Sequence, residues 1–274
     1  QKLKINIENA SEGNIIIEHF GAGEIVPAFE VFDAVRNGVI DCGVAAPYYW
    51  ISKHKAIPFF CTVPGGMTAI EKFSWVNYGG GQELWDGLYA EFGLKALLCG
   101  NTGVQMGGWF RKEIKSAEDF KGLKMRIPGL GAEIINQLGG IAVNMPAGEI
   151  MPALQQGVID AAEWVGPWVD KISGFHKITK FYYGPGIHEP GTANELILNL
   201  NSWLKLPEYL KVIVKNVCSS VYIDSLSEYL YFNSTSLDEL EKKYNVIINN
   251  YPDEITEEMF AISKKIVSDF SKLG

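Results

Sequence analysis

Two stretches of the chain share one grammar, and that repetition narrows the fold more than any other feature. Glu24 to Trp50 contains EIVPAF and then AVRNGVIDCGVAAPYYW, while Glu149 to Asp170 reads EIMPALQQGVIDAAEWVGPWVD. Both carry EI-x-PA and A-x-x-x-GVID, with different spacing between the two pieces. In each, a helix halts at a glycine, Gly38 or Gly157, where a residue without Cβ closes the helix end with least steric cost. A short apolar strand follows and runs out into prolines and aromatics. The first unit ends in Pro47, Tyr48, Tyr49 and Trp50; the second ends in Glu163, Trp164 and Trp168. Two such units predict two similar α/β lobes with a ligand between them.

The 274 residues are enough for two lobes, each with its own core. Hydrophobic residues make up 47% and charged residues 20%, an ordinary balance for a folded chain. A net charge of -8 argues against a nucleic-acid or anionic-membrane surface, which needs clustered Lys and Arg. No apolar run reaches the roughly 18 to 20 residues that span a bilayer. Cys42, Cys61, Cys99 and Cys218 form no CxxC pair and read as buried free thiols. No signal peptide is visible in the first twenty residues. The chain opens inside a helix, QKLKINIENASEG, whereas an α/β lobe normally begins with a strand, so the first lobe is expected to start upstream of Gln1.

Along the chain, Asn14 to Phe20 alternates and is β-branched, and it reads as a strand. Val39 to Val44, Lys95 to Cys99, Leu123 to Ile127, Val158 to Ala162, Ile178 to Tyr183 and Glu195 to Leu200 read as further strands. Their alternation with helices predicts parallel packing. Residues 1–103 form the expected first lobe and residues 104–196 the second. Residues 197–274 return to the first lobe and supply C-terminal helices, including a long amphipathic one from Pro207 to about Lys243 that packs on its own domain or bridges lobes or subunits.

In open α/β sheets, ligands sit beyond the carboxyl ends of strands. Four strand ends carry suitable groups: Pro47 to Trp50, Asn101 to Gln105, Arg126, and Glu163 to Trp168. Arg126 ends the strand LKMRI before a Pro-Gly turn, and a guanidinium grips a carboxylate through two parallel hydrogen bonds. An ordinary surface arginine satisfies the same spacing. Glu163 follows the apolar run VIDAA, where an acid needs a cation or hydrogen bonds. A hard cation, Na+ or Ca2+, would be held by such a carboxylate with an amide oxygen from Gln105; a hydrogen-bonded structural Glu fits equally. Tyr48, Tyr49, Trp50, Trp164 and Trp168 form flat walls or core. His188 and Glu189, in the turn IHEPG, approach the crevice or fix the loop. HExxH, GxSxG and phosphate-loop patterns are missing from the sequence.

Together, EIVPAFEVFDAVRNGVIDCG, KGLKMRIPG, PAGEIMPALQQGVIDAAEW and FYYGPGIHEPG resemble the DctP-type solute-binding proteins of TRAP transporters. The resemblance is nearest to the branch that takes α-keto acids and small monocarboxylates. It implies a two-lobed α/β fold like that of periplasmic binding proteins, with a ligand cleft between the lobes and a long C-terminal helical region. It implies a periplasmic receptor, not an enzyme, that delivers a small organic acid such as pyruvate or lactate to a membrane permease. Arg126 would hold the carboxylate; Gln105, Glu163 and the backbone carbonyl of Trp164 would hold Na+ or Ca2+. Gln105, Tyr49, Trp50, Trp164, Trp168 and Glu189 would line the ligand. The family's first strand and helix and its final helices are expected to lie beyond the chain, and a homodimer through the C-terminal helix is a further implication. Two other readings stay open: an enzyme with Glu163 as general base beside an anion on Arg126, and a sensor module that passes lobe closure to a signalling partner.

Overall fold

Both glycine stops form as their sequence requires. Gly38, just past the helix Val31–Arg36, and Gly157, at the end of Ala147–Gln156, adopt left-handed backbone with φ of 72° and 73°. The computed structural model describes residues 1–272. Its strands in chain order are β1 (Cys42–Ala45), β2 (Leu94–Asn101), β3 (Gly108–Phe110), β4 (Lys124–Arg126), β5 (Ile141–Val143), β6 (Ala161–Ala162), β7 (Phe181–Tyr183), β8 (Ala193–Asn199) and β9 (Ile247–Asn249). They make two sheets, ordered β1-β8-β2 and β5-β4-β6-β3-β7-β9. Cys61, Cys99 and Cys218 are buried free thiols and Cys42 is half-buried.

Parallel packing holds only in part. The expected return strand is β8, and it enters the first sheet antiparallel to both β1 and β2, because the chain arrives there from the second lobe. In the second sheet β5, β4 and β6 are parallel, β3 opposes β6 and β7, and β9 runs parallel to β7. The stretch after residue 197 is therefore divided: β9 joins the second sheet, and the helix Asp253–Phe270 buries Ile255, Met259 and Ile262 beside Phe110, Phe120 and Ile134.

Asn14 to Phe20 is not a strand. Its alternation is real, since Ile15 and Ile17 pack on the core with Leu97 and Leu196 while Ile16 is 83% exposed. A strand also needs a ladder, and among the described residues none pairs with this segment. Its backbone is instead tied to the first helix, with the Ile17 N–H on Glu8 Oε1 at 2.8 Å.

The long helix runs Glu208–Lys242 and serves both halves. Val214, Val217, Cys218 and Val221 pack with Leu97 and Leu196 of the first sheet, while Leu240 joins Trp109 of the second sheet and Ile150 and Leu154 of the helix Ala147–Gln156. At about 1.5 Å per residue it is a strut of roughly 50 Å. Among the described residues no helix is long and apolar enough to cross a membrane.

The first core contains a buried acid. Glu195 on β8 accepts from Trp50 Nε1 at 2.7 Å through Oε1, while its buried Oε2 has no partner. Burial pushes this carboxyl up to about 8 from 4.5, against the pull of the hydrogen bond from Trp50. A folded pKa above the unfolded one means that folding takes up a proton. The associated stability is full below pH 4.5 and is lost as pH rises through about 8. Glu195→Gln is expected to flatten that decline, read by urea denaturation between about pH 5 and 9. A slope equal to the parent's would remove Glu195 as its cause.

Candidate functional site

β4 and β6 lie side by side in parallel with Arg126 opposite Ala162, and the Glu163 N–H donates to the Arg126 carbonyl at 2.8 Å. This register sets an arginine and a glutamate together at adjoining strand ends. Arg126 is 0% exposed, which excludes the surface reading. Lys124, two residues earlier, is exposed, so strand alternation alone did not separate the two.

The guanidinium is held but not saturated. Nη1 donates to the Glu163 carbonyl at 2.8 Å and faces Glu163 Oε2 at 3.4 Å. Nη2 donates to Tyr49 Oη at 3.3 Å and Nε to the Met145 carbonyl at 3.4 Å. The Trp164 ring lies 5.0 Å from the guanidinium carbon. These contacts engage four of five N–H groups, three at long distance, so the group can reorganise onto a carboxylate. Tyr49 comes from the first lobe and Arg126 from the second. The lobes also meet at Gly129, whose left-handed backbone (φ 60°) passes Tyr48 so closely that a Cβ would stand 3.1 Å from it.

Three buried side-chain atoms of this region have no partner: Glu163 Oε1, on the carboxylate that touches Arg126, His188 Nε2, which lies 3.8 Å from that oxygen, and Gln105 Oε1. Gln105 is fixed at the crevice by its backbone, donating to the Glu189 carbonyl at 3.1 Å and accepting from the Gly186 N–H at 2.8 Å. Its side-chain orientation follows from Thr102. That hydroxyl donates to the Gly103 carbonyl at 3.3 Å, so it accepts from Gln105 Nε2 at 3.1 Å, leaving Oε1 free. Ligating atoms of Glu163, His188 and Glu189 all lie within 4.8 Å of one another. Glu189 Oε2 accepts from the Thr192 hydroxyl.

Burial holds Glu163 well above the usual carboxylate range, while Arg126 pulls it down. Burial and then the Glu163 charge push Glu189 up to about 8. Burial also lowers the His188 imidazole, opposed by Glu189. Each unpartnered buried oxygen costs about 1–3 kcal/mol. Both unpartnered oxygens, one carboxylate and one amide, are hard ligands, so the residues present fit Na+ or Ca2+.

The structure therefore brings Glu163, Tyr49 and Trp164 against Arg126, sets Glu189 close to Glu163, and joins the Gln105 backbone to that of Glu189. It places two other expected residues elsewhere. Trp50 sits in the first core with its N–H on Glu195. Trp168 stacks on Phe232 at 4.7 Å and meets Tyr229 at 5.3 Å, both on the long helix. Asp170 was missed. Its buried carboxylate accepts from Trp109 Nε1 at 2.9 Å, Tyr182 Oη at 2.7 Å, and the Val165 and Gly166 N–H groups, each at 3.1 Å. It locks the loop that carries Glu163 and Trp164. An acid in the first turn of a helix that begins Gly-Pro was its one visible signal.

Residues 1–273 match the DctP model, described as bacterial extracellular solute-binding protein, family 7. The monocarboxylate 2-oxoacid-binding periplasmic protein all3028 of Nostoc sp. is 43% identical over 234 residues, which cover 85% of this chain and 64% of that protein. The chain thus spans somewhat under two thirds of that relative's length. A TRAP periplasmic solute-binding protein of Pseudoalteromonas atlantica, solved with bound sodium and pyruvate, superposes with a TM-score of 0.96 at 38% identity, over 100% of this chain and 83% of that one. A TRAP solute-binding protein of Bordetella bronchiseptica also gives 0.96, at 34% identity, over 99% of this chain and 80% of that one. That structure is a mixed-occupancy dimer with copurified calcium and picolinate in one active site and the other site apo. A match along nearly the whole chain, with the same two-lobed fold, means that this chain belongs to the DctP family, family 7 of the bacterial extracellular solute-binding proteins.

Proposed function

We propose that this chain is the ligand-binding body of a periplasmic TRAP receptor that captures a small 2-oxo or 2-hydroxy monocarboxylate together with Na+ or Ca2+. The observation that carries the reading is the buried Arg126 in contact with Glu163, whose Oε1 is unpartnered, together with a second unpartnered hard oxygen, Gln105 Oε1, on the segment bonded to Glu189. Arg126 takes the carboxylate; Gln105, Glu163 and the Trp164 carbonyl hold the cation, which neutralises charge between ligand and protein. Tyr49 and Trp164 wall the site, and Glu189 frames it from the turn at His188. The protein's own work is to bind, orient and exclude water, with Tyr49 closing from the first lobe onto Arg126 in the second. The bound acid is then delivered to a membrane permease, and no residue is assigned a catalytic step.

Thermal-shift and calorimetric titration with pyruvate, lactate, a longer 2-oxoacid, a sugar acid and a dicarboxylate, each with and without Na+ or Ca2+, tests this. One monocarboxylate should stabilise the fold by about 2.7 kcal/mol at a hundredfold excess over Kd, and more so with one of the cations. Folded protein that responds to none of the acids would sink the reading.

The long helix supports a second copy of the chain as partner. Tyr209, Val212, Asn216, Ser220, Ile223, Ser227, Leu230 and Ser234 recur every three or four residues, are all exposed, and include no charge. A charge-free face of this length fits another helix like itself, as expected for a homodimer. Ile223→Asp with Leu230→Asp is expected to convert a dimer into monomers in sedimentation equilibrium while leaving acid binding intact. A parent that is monomeric at micromolar concentration would exclude this face as the interface.

A further inference from the structure

His188 belongs to the turn between β7 and β8, and its ring is seated with unusual constraint. The two carbons that flank Nε2 face two glycines: a Cβ at Gly131 would come 3.0 Å from Cδ2, and one at Gly186 would come 2.8 Å from Cε1. Those positions would also crowd Ile127 and the Met106 carbonyl. Neither glycine has a positive φ, so backbone conformation does not require glycine there. What both positions provide is room for the imidazole edge that carries Nε2, which is thereby held in one orientation.

That edge is 6% exposed by residue, and Nε2 has no hydrogen-bond partner. The nearest acid oxygen, Glu163 Oε1, lies 3.8 Å away, too far for a hydrogen bond. An orphaned buried ring nitrogen this close to the site awaits a ligand atom, and in the Nε2–H tautomer it is a donor. Hard cations such as Na+ and Ca2+ take oxygen ligands, so the nitrogen is left for the organic acid itself. With the carboxylate on Arg126, the remaining polar atom of a small 2-oxo or 2-hydroxy acid is the oxygen on C2.

We propose that His188 Nε2 donates a hydrogen bond to the C2 oxygen of the bound acid and makes the receptor select acids that carry one. This deepens the receptor reading and rests on it. A site built to bond an oxygen rejects the analogue without it, because its own polar group is then left buried and unpaired.

The test compares pyruvate with propionate, which has the same carbon chain and no oxygen on C2, by calorimetry at fixed Ca2+ in the parent and in His188→Ala. Pyruvate affinity is expected to fall about 10- to 100-fold in the variant, with propionate affinity unchanged. Equal losses for both acids would reduce His188 to packing, and an unchanged pyruvate affinity would remove it from the site. A loss of Ca2+ affinity measured without acid would make it a cation ligand and overturn the proposal. A parent that binds neither acid would instead overturn the receptor reading. If His188→Ala does not fold, the 15N resonance of His188 Nε2 in the native protein decides: pyruvate should shift it and propionate should not, and no shift with pyruvate overturns the proposal.

Discussion

Arg126→Ala is expected to lower pyruvate affinity by about two to three orders of magnitude, the largest single loss at the site. Truncating one member of a buried, hydrogen-bonded charge pair costs about 2–5 kcal/mol, which corresponds to roughly 30- to 5000-fold in Kd. Arg126 belongs well inside that range, above its lower end, because it is wholly buried and supplies the cationic fork at the site. Arg126→Lys should recover only part of the loss, since an ammonium cannot form the paired hydrogen bonds of a guanidinium. The fold should survive Arg126→Ala, because Glu163 can then take up a proton, which its burial favours once the Arg126 charge is gone. Calorimetry on variants shown to be folded by circular dichroism provides the check. An Arg126→Ala protein that binds pyruvate like the parent would dismiss the carboxylate clamp and move the search for the anion elsewhere.

The part of this site that was legible in the sequence is the part set by local rules. Arg126 and Glu163 each end a short apolar strand at a turn, and parallel pairing of β4 with β6 brings such ends together without further information. Gly38 and Gly157 were readable for the same reason, as helix stops that need left-handed backbone. What failed was set by distant partners. A tryptophan after a strand looks alike whether it faces a ligand or a core. Trp50 was decided by Glu195, 145 residues away, and Trp168 by Tyr229 and Phe232 on the long helix. The antiparallel entry of β8 and the docking of β9 depend on where the chain has come from, and residue type does not record that. Asn14 to Phe20 shows the converse error: its side-chain alternation is present, but a strand is defined by a neighbour that this segment does not have among the described residues.

If the proposed receptor reading holds, burying both charges makes ligand, cation and closure a single equilibrium. The Arg126–Tyr49 contact joins the lobes, and Glu163 touches Arg126 from one oxygen while presenting the other to the crevice. A ligand favours closure only by the free energy with which it prefers the closed form. On the proposed reading a carboxylate that engages Arg126 and a cation that engages Glu163 would both do so, and each would reduce the charge imbalance that the other leaves. Coupling of this kind is reciprocal, so the acid should tighten the cation as much as the cation tightens the acid.

Glu163→Gln separates the two halves of that coupling. The amide keeps the shape and one carbonyl oxygen but removes the charge that a hard cation needs, so cation affinity is expected to fall by at least about 100-fold. Arg126 meanwhile loses its nearest buried anion, so the unliganded variant should melt below the parent. The incoming carboxylate then becomes the main counter-charge of Arg126. Pyruvate should therefore still raise the melting temperature, while Ca2+ or Na+ adds nothing to that rise. In the parent the cation should add several degrees at a hundredfold excess over its Kd, following from about 2.7 kcal/mol and 2–4 °C per kcal/mol for a chain near this size. A matrix of melts, parent and variant, with acid alone, cation alone and both, measures all of these terms at once. If Glu163→Gln kept the full cation increment, the ion would have to be bound by other residues. Loss of the pyruvate response along with the cation response would mean instead that Glu163 is needed to hold Arg126 in place for the acid.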